Sequence, residues 1–558
     1  MAAPAISFET RCLSSLAKVF ADEELRDEAF HSGSALRGEV YAFQVAYRSQ
    51  TLVKPLHIRV ESPLEAHVHL RTVGLAPSEL PCFDDYDEDV LRTTPGLYPD
   101  PLYSLTEMSP IALPGQWRAV WVTVEVQAEE AAGLHPIRIR FENGEGDALG
   151  EELFELDVIP AALPRQKLIR TEWFHTDCLA SYYGCPVFSE EHWRRIGQFM
   201  DTAARHGINM LLTPLFTPPL DTAVGGERPT VQLVDVSKDG DKYTFGFERL
   251  ERWIGLCDQY GIEYLEFSHL FTQWGARHAP KIIVRVNGED KRLFGWDTDA
   301  AGEDYAAFLN AFLPELKSFL LANGLERRSY FHVSDEPGAD HLESYRQAAA
   351  LLQSHLSEFP FLDALSEYAF YEQGLVRRPV AANNHIEPFL ENNVEPLWTY
   401  YCVSQRQKVS NRFFHMPSSR NRIIGLQLYK YGLEGFLHWG FNFWHSQYSI
   451  KSINPFLVTD ADRSFPSGDP FLVYPGEDGP IESIRLEVFY EAMQDLRALQ
   501  LLEGLIGKPA VMQLLEEGLA EPLTFSEYPR SAEWLLSVRH KINDKIAAMA
   551  DVSSKPAS

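Results

Sequence analysis

Basic residues are scarce in this chain: 50 Lys and Arg stand against 79 Asp and Glu in 558 residues, a formal net charge of −29 with histidines neutral. Neutralising phosphates takes a clustered basic surface, and an acidic chain is repelled by an anionic lipid leaflet, so neither a nucleic acid nor a membrane is an expected partner. Cysteine is sparse as well. The six residues Cys12, Cys82, Cys178, Cys185, Cys257 and Cys402 show no C-x-x-C spacing, which argues for reduced core thiols rather than a disulfide framework. No stretch approaches the roughly 20 apolar residues of a membrane span. The start, MAAPAISFETRCLSSLAKVF, lacks the basic-then-apolar pattern of an export signal. A cytoplasmic protein is the resulting expectation. H-E-x-x-H, G-x-S-x-G, the P-loop and G-x-G-x-x-G are all missing, so metalloprotease, serine-hydrolase and nucleotide chemistry lose their usual carriers. No metal and no cofactor is expected. The acidic run DDYDED, residues 84–89, lacks the glycine and closing glutamate of an EF-hand loop and reads as a solvated loop.

What is present is the composition of a globular protein, 45% hydrophobic and 23% charged, with length for two or three domains. Up to about residue 160, short period-2 runs such as GEVYAFQVAYRS, LHIRVES and WRAVWVTVEVQA recur between turn residues. That pattern predicts an N-terminal antiparallel β-sandwich over 1–164. The prolines of VIPAALPRQ (158–166) mark a linker. Strands then alternate with amphipathic helices, beginning with LIRTEWFH (168–175) and the helix candidate that Ser189 caps. Further strand candidates lie at INMLLTP, IEYLEFSH, SYFHVSDEP, FLDALSEYAF, VAANNHI, LWTYYCVS and GFLHWGFNFW. Eight βα units predict a (β/α)8 TIM-like barrel over 165–510, with its chemistry at the C-terminal ends of the strands. Residues 511–558 read as a C-terminal helical segment with a flexible tail, MADVSSKPAS. Two long connections, 214–246 and 269–304, are expected to shape the substrate site. An acidic surface with an exposed sandwich is compatible with a homodimer.

The most suggestive constellation is FHVSDEPG, residues 331–338, at the end of a predicted barrel strand. Alternation puts Phe331 and Val333 toward the helices and His332, Ser334 and Glu336 toward the barrel interior. Asp335 would then point outward, so both acids reach one ligand only if the strand ends or bulges there. Pro337 supports such an ending. Paired carboxylates suit glycoside hydrolysis, which needs a protonated acid for the leaving oxygen and an anion for the developing positive charge. Neighbouring residues are awkwardly placed on opposite sides of a glycosidic bond. They suit the substrate-assisted variant, in which the sugar's 2-acetamido oxygen attacks the anomeric carbon, Asp335 orients the acetamide and Glu336 acts as acid and then base. On the motif alone, a plain helix-entry turn stays open.

Trp173, Trp274, Trp398, Tyr400, Trp439 and Trp444 all fall at or just beyond predicted strand ends, where they could form flat walls for a sugar, although each alone is more often core. Asn442 is a candidate hydroxyl ligand, and His269 either contacts substrate or caps a loop.

These motifs carry a resemblance. FHVSDEPG, LWTYYCVSQ…NRFF and RNRIIGLQLYKYGLEGFLHWGFNFW resemble the catalytic region of glycoside hydrolase family 123 and the wider DUF4091 group. ALRGEVYAFQVAYR, GLYPDPL and HLFTQWGARHAPKI agree with it. The resemblance implies a β-sandwich before a (β/α)8 barrel and an exo-acting, retaining β-N-acetylgalactosaminidase using the substrate-assisted route. It maps the acetamide stabiliser onto Asp335 and the acid/base onto Glu336. A tyrosine that holds the acetamide maps onto Tyr400, with Tyr368 and Tyr401 close by. Leu426 stands where relatives often carry tryptophan, and His438 where an aromatic precedes the Trp. The expected partner is a small oligosaccharide or glycoside. The competing expectations are a hexosaminidase or glycosidase of other sugar preference and an inactive glycan-binding barrel.

Overall fold

The computed structural model describes residues 7–554, and the chain falls into two compact units. One contains the chain up to residue 166, residues 406–432 and residues 481 onward; the other contains 167–405 and 433–480.

In the first unit, alternating apolar residues build two sheets. Strands Phe8–Ser14, Val40–Ser49, Arg118–Glu125, Val68–Ser78 and Gly96–Ser104 lie side by side in that order in one. Ser32–Arg37, Ala148–Ala162, Gly133–Asn143 and Leu56–Glu61 form the other. Their pairings are antiparallel, as period-2 alternation leads one to expect, except that Ser32–Arg37 runs parallel to Ala148–Ala162. Phe43 and Val122 of one sheet and Ile139 and Phe154 of the other enter a common apolar core. The rings of Phe43 and Phe154 stack there at 4.2 Å.

Residues 406–432 and 481 onward, expected in the barrel and a separate tail, instead group with these sheets. A buried ion network supplies the reason. Arg422 pairs with Glu491 at 2.8 Å and with Asp495 at 2.7 Å, and Arg539 pairs with Asp495 at 2.7 Å and with Glu39 at 2.6 Å. Charges stripped of water need such partners, so helices Ile484–Ile506 and Ala532–Ser554 are tied to the sheet-bearing unit. The second of these helices continues into the segment read as a flexible tail, of which residues 555–558 lie outside the described residues. The DDYDED loop is also not simply solvated. Asp85 pairs with Arg406 and Asp87 with the buried Arg420, each at 2.7 Å. All six cysteines are free thiols, four of them buried, whereas Cys82 and Cys185 are half-buried rather than core. Among the described residues no helix is long and apolar enough to cross a membrane.

The second unit is a nearly closed eight-stranded parallel barrel. Its strands, in chain order, are Ile169–Glu172, Met210–Thr213, Tyr264–Phe267, Ser329–Tyr330, Leu362–Leu365, Arg378–Ala382, Trp398–Tyr400 and Gly435–His438. Seven lie within the segments expected to be strands, and the sixth overlaps VAANNHI but begins two residues before it, at Arg378. Neighbours in sequence are neighbours in the sheet, and the first strand pairs with the eighth through Ile169↔Gly435. Between the fourth and fifth strands the seam is a single bridge, Phe331↔Phe361, where Phe331 N–H donates to the Pro360 carbonyl and Leu362 N–H to the Phe331 carbonyl, both at 3.0 Å. Met210, Leu212, Tyr330, Leu362, Val380 and Trp398 belong to its apolar core cluster. Trp398 pairs in register with Gly435, whose missing side chain makes room for the indole: a Cβ at 435 would lie 2.1 Å from Trp398 Cδ2. Ser189 caps helix Glu190–Arg205 as expected, accepting the His192 N–H. Parts of the two long connections fold into a small sheet, Asp235–Asp239, Lys242–Gly246, Ile282–Val286 and Glu289–Phe294. Their remaining stretches carry Asp221, Gln273 and Trp274 to the cavity described next.

Candidate active site

Asp335 and Glu336 follow the fourth strand and line one cavity of about 210 Å³. The ladder that begins at Ser329 has run out before them, which removes the alternation that would send consecutive side chains to opposite faces. Phe331 packs outward on Phe267, Phe359 and Phe361, while His332 turns inward against Trp173 and His269. Glu336 then adopts φ +42°, a left-handed kink that a non-glycine residue seldom takes. The kink accompanies the placement of both acids on one cavity. The Trp274 N–H, donating to the Asp335 carbonyl at 3.1 Å, pins the loop from the other side.

Asp335 is half-buried, and Glu336 is open to the cavity. The Tyr400 hydroxyl donates to Glu336 Oε1 at 2.6 Å. Burial raises the Asp335 pKa well above the usual carboxylate range, and the neighbouring Glu336 charge adds to it, while the His332 charge works the other way. Enclosure by the cavity wall also raises Glu336, partly offset by the Tyr400 hydrogen bond. Two carboxylates this close resist double ionisation, so the pair retains a proton to higher pH than either acid would alone.

A buried polar layer lies beneath the acids. His332 meets Glu266 Oε1 through Nε2 at 2.7 Å and Asp363 Oδ1 through Nδ1 at 3.2 Å. Burial by itself pushes the imidazole down, but the bonds to Asp363 and Glu266 outweigh it and hold the ring up to about 9. His332 is therefore a cation at neutral pH. Glu266 also accepts from Trp173 Nε1 at 2.7 Å and from the Thr171 hydroxyl. Asp363 accepts the Val333 N–H at 3.1 Å and the Tyr345 hydroxyl. The layer thus fixes both a wall indole and the strand leading to the acids.

The cavity walls are aromatic: Trp173, Trp439 and Phe465, with Trp274 and Tyr448 at the rim. Trp439 is held by Asp469 Oδ2 at 3.1 Å and meets Phe465 edge-on. Trp274 and Tyr448, 42% and 39% exposed, form a T-shaped pair at 6.0 Å.

Of the ten residues expected at the site, Asp335, Glu336, Tyr400, Trp173, Trp274 and Trp439 meet at this cavity. The other four do not line it. Trp398 shares a strand face with Tyr400 but sits two residues earlier, packing on Tyr330 in the barrel core. Asn442 is a satisfied core amide, accepting the His175 N–H at 2.8 Å and donating to its carbonyl at 3.1 Å. Trp444 packs between Tyr182 and Phe199 and donates to the Val473 carbonyl. His269 is buried, stacked on His332 at 4.2 Å and edge-on to Trp173. Tyr401 is fully buried against Phe436 and His438, and Tyr368 packs on Phe389, so Tyr400 is the tyrosine that reaches the acids. Leu426 is buried in helix Ile424–Tyr431 of the first unit, and His438 is buried 3.8 Å from Glu172 and 3.5 Å from Asp469. Asp221, Gln273, Tyr448 and Phe465 line the cavity without having been singled out. They stand on irregular connections where no periodicity marks them; only the length of the connections pointed there.

Two buried groups have metal-ligand composition, Asp177–Cys178–His445 and His269–His332–Asp363. Arg228 takes both oxygens of Asp177, at 2.6 and 2.9 Å, and both nitrogens of His332 meet carboxylates, so key ligand atoms are already engaged.

No curated protein matches the chain in sequence. In structure the chain is similar to a family 123 glycoside hydrolase from Clostridium perfringens, described in terms of glycolipid glycan hydrolysis, with a TM-score of 0.73 at 14% identity over 98% of each chain. An endo-β-1,4-mannanase from Thermotoga petrophila overlaps less, with a TM-score of 0.34 at 14% identity over 60% of this chain and 77% of that one. The family model for the glycoside hydrolase 123 catalytic domain matches residues 173–502, which contain the acids, Tyr400 and every wall aromatic described above. The chain belongs to glycoside hydrolase family 123 and is a glycoside hydrolase.

Proposed function

We propose that this enzyme is an exo-acting β-N-acetylgalactosaminidase that works by the retaining, substrate-assisted route. The observation that carries the reading is the pair of consecutive acids that line one cavity where the backbone kinks at Glu336. Acids so placed serve one side of a sugar ring better than two opposite sides.

In this reading the acetamide N–H of the substrate donates to Asp335. That bond favours the Asp335 anion and leaves the shared proton on Glu336. The acetamide oxygen then attacks the anomeric carbon while Glu336 gives its proton to the departing glycosidic oxygen. The Asp335 anion offsets the positive charge of the resulting oxazolinium. Glu336, now a carboxylate accepting from Tyr400, takes a proton from water, which opens the ring at the anomeric carbon. Two inversions at one carbon retain its configuration. The His332 cation beneath the acids favours the Asp335 anion on which the first step depends.

A volume of about 210 Å³ falls below the roughly 300–1,000 Å³ of pockets for larger ligands, which favours a single terminal residue over a bound chain. Aromatic walls suit the apolar faces of a pyranose. A small oligosaccharide or glycoside as substrate, and a cytoplasmic address, belong to the same proposal.

Release of 4-nitrophenol from the β-glycosides of N-acetylgalactosamine, N-acetylglucosamine, galactose and glucose tests it. Selective cleavage of the first, blocked by a thiazoline mimic of the cyclised acetamide, is expected. Preference for N-acetylglucosamine would overturn the sugar alone, whereas cleavage of galactose or glucose would overturn the route.

A further inference from the structure

We propose that Asp221 is a specificity-determining residue of this site, its carboxylate accepting hydrogen bonds from hydroxyls on the C3–C4 edge of the terminal sugar. The inference rests on the substrate-assisted reading for its placement along the ring.

Asp221 is a third carboxylate on the cavity, and the two-acid mechanism leaves it without a task. It is held as a binding group would be. Its backbone sits at φ +39°, in the left-handed region that Asp and Asn enter more readily than most residues. Its N–H donates to Gln273 Oε1 at 2.7 Å, its Oδ2 accepts the Tyr448 N–H at 3.1 Å, and its carbonyl accepts the Ser449 hydroxyl at 2.7 Å. Connections after the second, third and eighth strands therefore converge on this one residue. The preceding carbonyl, of Leu220, accepts from Arg228 at 3.2 Å, and Arg228 is itself buried against Asp177.

What remains unspent points to a ligand. No hydrogen bond from a described residue reaches Asp221 Oδ1. Gln273, 95% buried and also lining the cavity, has a side-chain nitrogen without a partner among the described residues. Its oxygen is committed to Asp221, which fixes which end of the amide is the donor. A buried donor left unpaired costs about 1–3 kcal/mol, and a sugar hydroxyl both donates and accepts, so it complements both an acceptor and a donor among the residues that line this cavity. Burial raises the Asp221 pKa to about 6, which leaves the acceptor anionic at neutral pH.

The placement follows from one dipeptide. The Gln273 side chain holds Asp221, while the Trp274 N–H holds the Asp335 carbonyl. Asp221 is thus tied to Asp335 through Gln273 and Trp274, and in this proposal it stands on the Asp335 side of the cavity rather than at the Tyr400–Glu336 contact. With Asp335 at the C2 acetamide and Glu336 at the glycosidic oxygen, the edge beyond C2 is C3–C4.

The test compares wild type and Asp221→Asn on the 4-nitrophenyl β-glycoside that the enzyme cleaves and on its 3-, 4- and 6-deoxy analogues. Wild type is expected to lose on the order of 10- to 100-fold in kcat/KM on the 3- or 4-deoxy substrate, the range of a charge-assisted hydrogen bond. Asp221→Asn is expected to lose a similar factor on the parent substrate and little more on that deoxy analogue, with the 6-deoxy penalty the same in both enzymes. Equal deoxy penalties in both enzymes, or a coupling that appears at C6, would overturn the proposal. Each penalty is a ratio within one preparation, so a partly unfolded variant does not distort it. Should the cleaved sugar lack the acetamido group, the functional reading fails while the deoxy series of that sugar still decides the role of Asp221.

Discussion

Tyr400 and Glu336 share a 2.6 Å hydrogen bond in which the phenol donates and the carboxylate accepts. Such a bond stabilises the ionised acid and holds Glu336 below the value that burial alone would give it. Removing it by Tyr400→Phe is expected to raise the Glu336 pKa. The protonated acid then persists to higher pH, so the alkaline limb of the kcat/KM profile moves upward. Turnover at neutral pH is expected to fall roughly 10- to 100-fold, because the carboxylate formed in the first step loses its donor. A pH–rate profile of the variant checks both effects; an unmoved alkaline limb would show that the bond does not tune the acid.

The two acids separate by leaving group. Glu336→Gln is expected to lose about 100- to 10,000-fold on glycosides with poor leaving groups, where protonation is needed, and much less on activated aryl glycosides. Asp335→Asn is expected to lose activity on both alike, since ring closure precedes every turnover. Measuring both variants on a 4-nitrophenyl and an alkyl glycoside decides the assignment, and identical profiles would refute it.

His332 couples stability to pH. Its folded value of about 9 lies above the ordinary histidine value of 6.5. The protonated ring therefore contributes stability that is fully present below pH 6.5 and is lost as the pH rises through about 9. The amount is about 3 kcal/mol. Thermal unfolding of wild type is expected to begin at lower temperature across that window. His332→Ala is expected to unfold earlier still at neutral pH, because Glu266 and Asp363 are left buried without their cation.

Two tryptophans of similar sequence context are expected to fail differently. Trp274→Ala, at the rim, should raise KM by roughly 10-fold while leaving the melting temperature within a few degrees, as the loss of one stacking surface implies. Trp398→Ala should instead lower stability by about 3–5 kcal/mol through the cavity it leaves. Gly435→Ala should do likewise by forcing a methyl into the indole. Differential scanning calorimetry beside steady-state kinetics separates the two cases.

The contrast also marks how far sequence reasoning reaches. All eight barrel strands were legible because strand and helix periods alternate cleanly between 168 and 444, and the inward turn of His332 follows from strand alternation. Alternation fails as soon as the ladder stops. The eighth strand ends at His438, so Trp439, Asn442 and Trp444 could not be sorted by odd and even positions, and only Trp439 reaches the cavity. Trp398, expected at the strand end with Tyr400, lies two residues earlier on the same strand and packs into the barrel core. Asp221 and Gln273 stayed hidden because nothing local distinguishes a loop carboxylate that three connections will surround. The grouping of residues 406–432 and 481 onward with the sheets was equally hidden. Its cause, the pairing of Arg422 and Arg539 with Glu39, Glu491 and Asp495, joins residues 44 to 500 positions apart, with no local pattern to mark them.

The torsion at Glu336 sets stability against reactivity. A side chain in the left-handed region costs on the order of 1–2 kcal/mol that glycine would not incur. Glu336→Gly is therefore expected to melt at or above the wild-type temperature while losing the hydrolysis of glycosides with poor leaving groups. A chain selected for durability alone would relax this position, so a protein engineer who follows stability as the only guide would be led to erase the reaction.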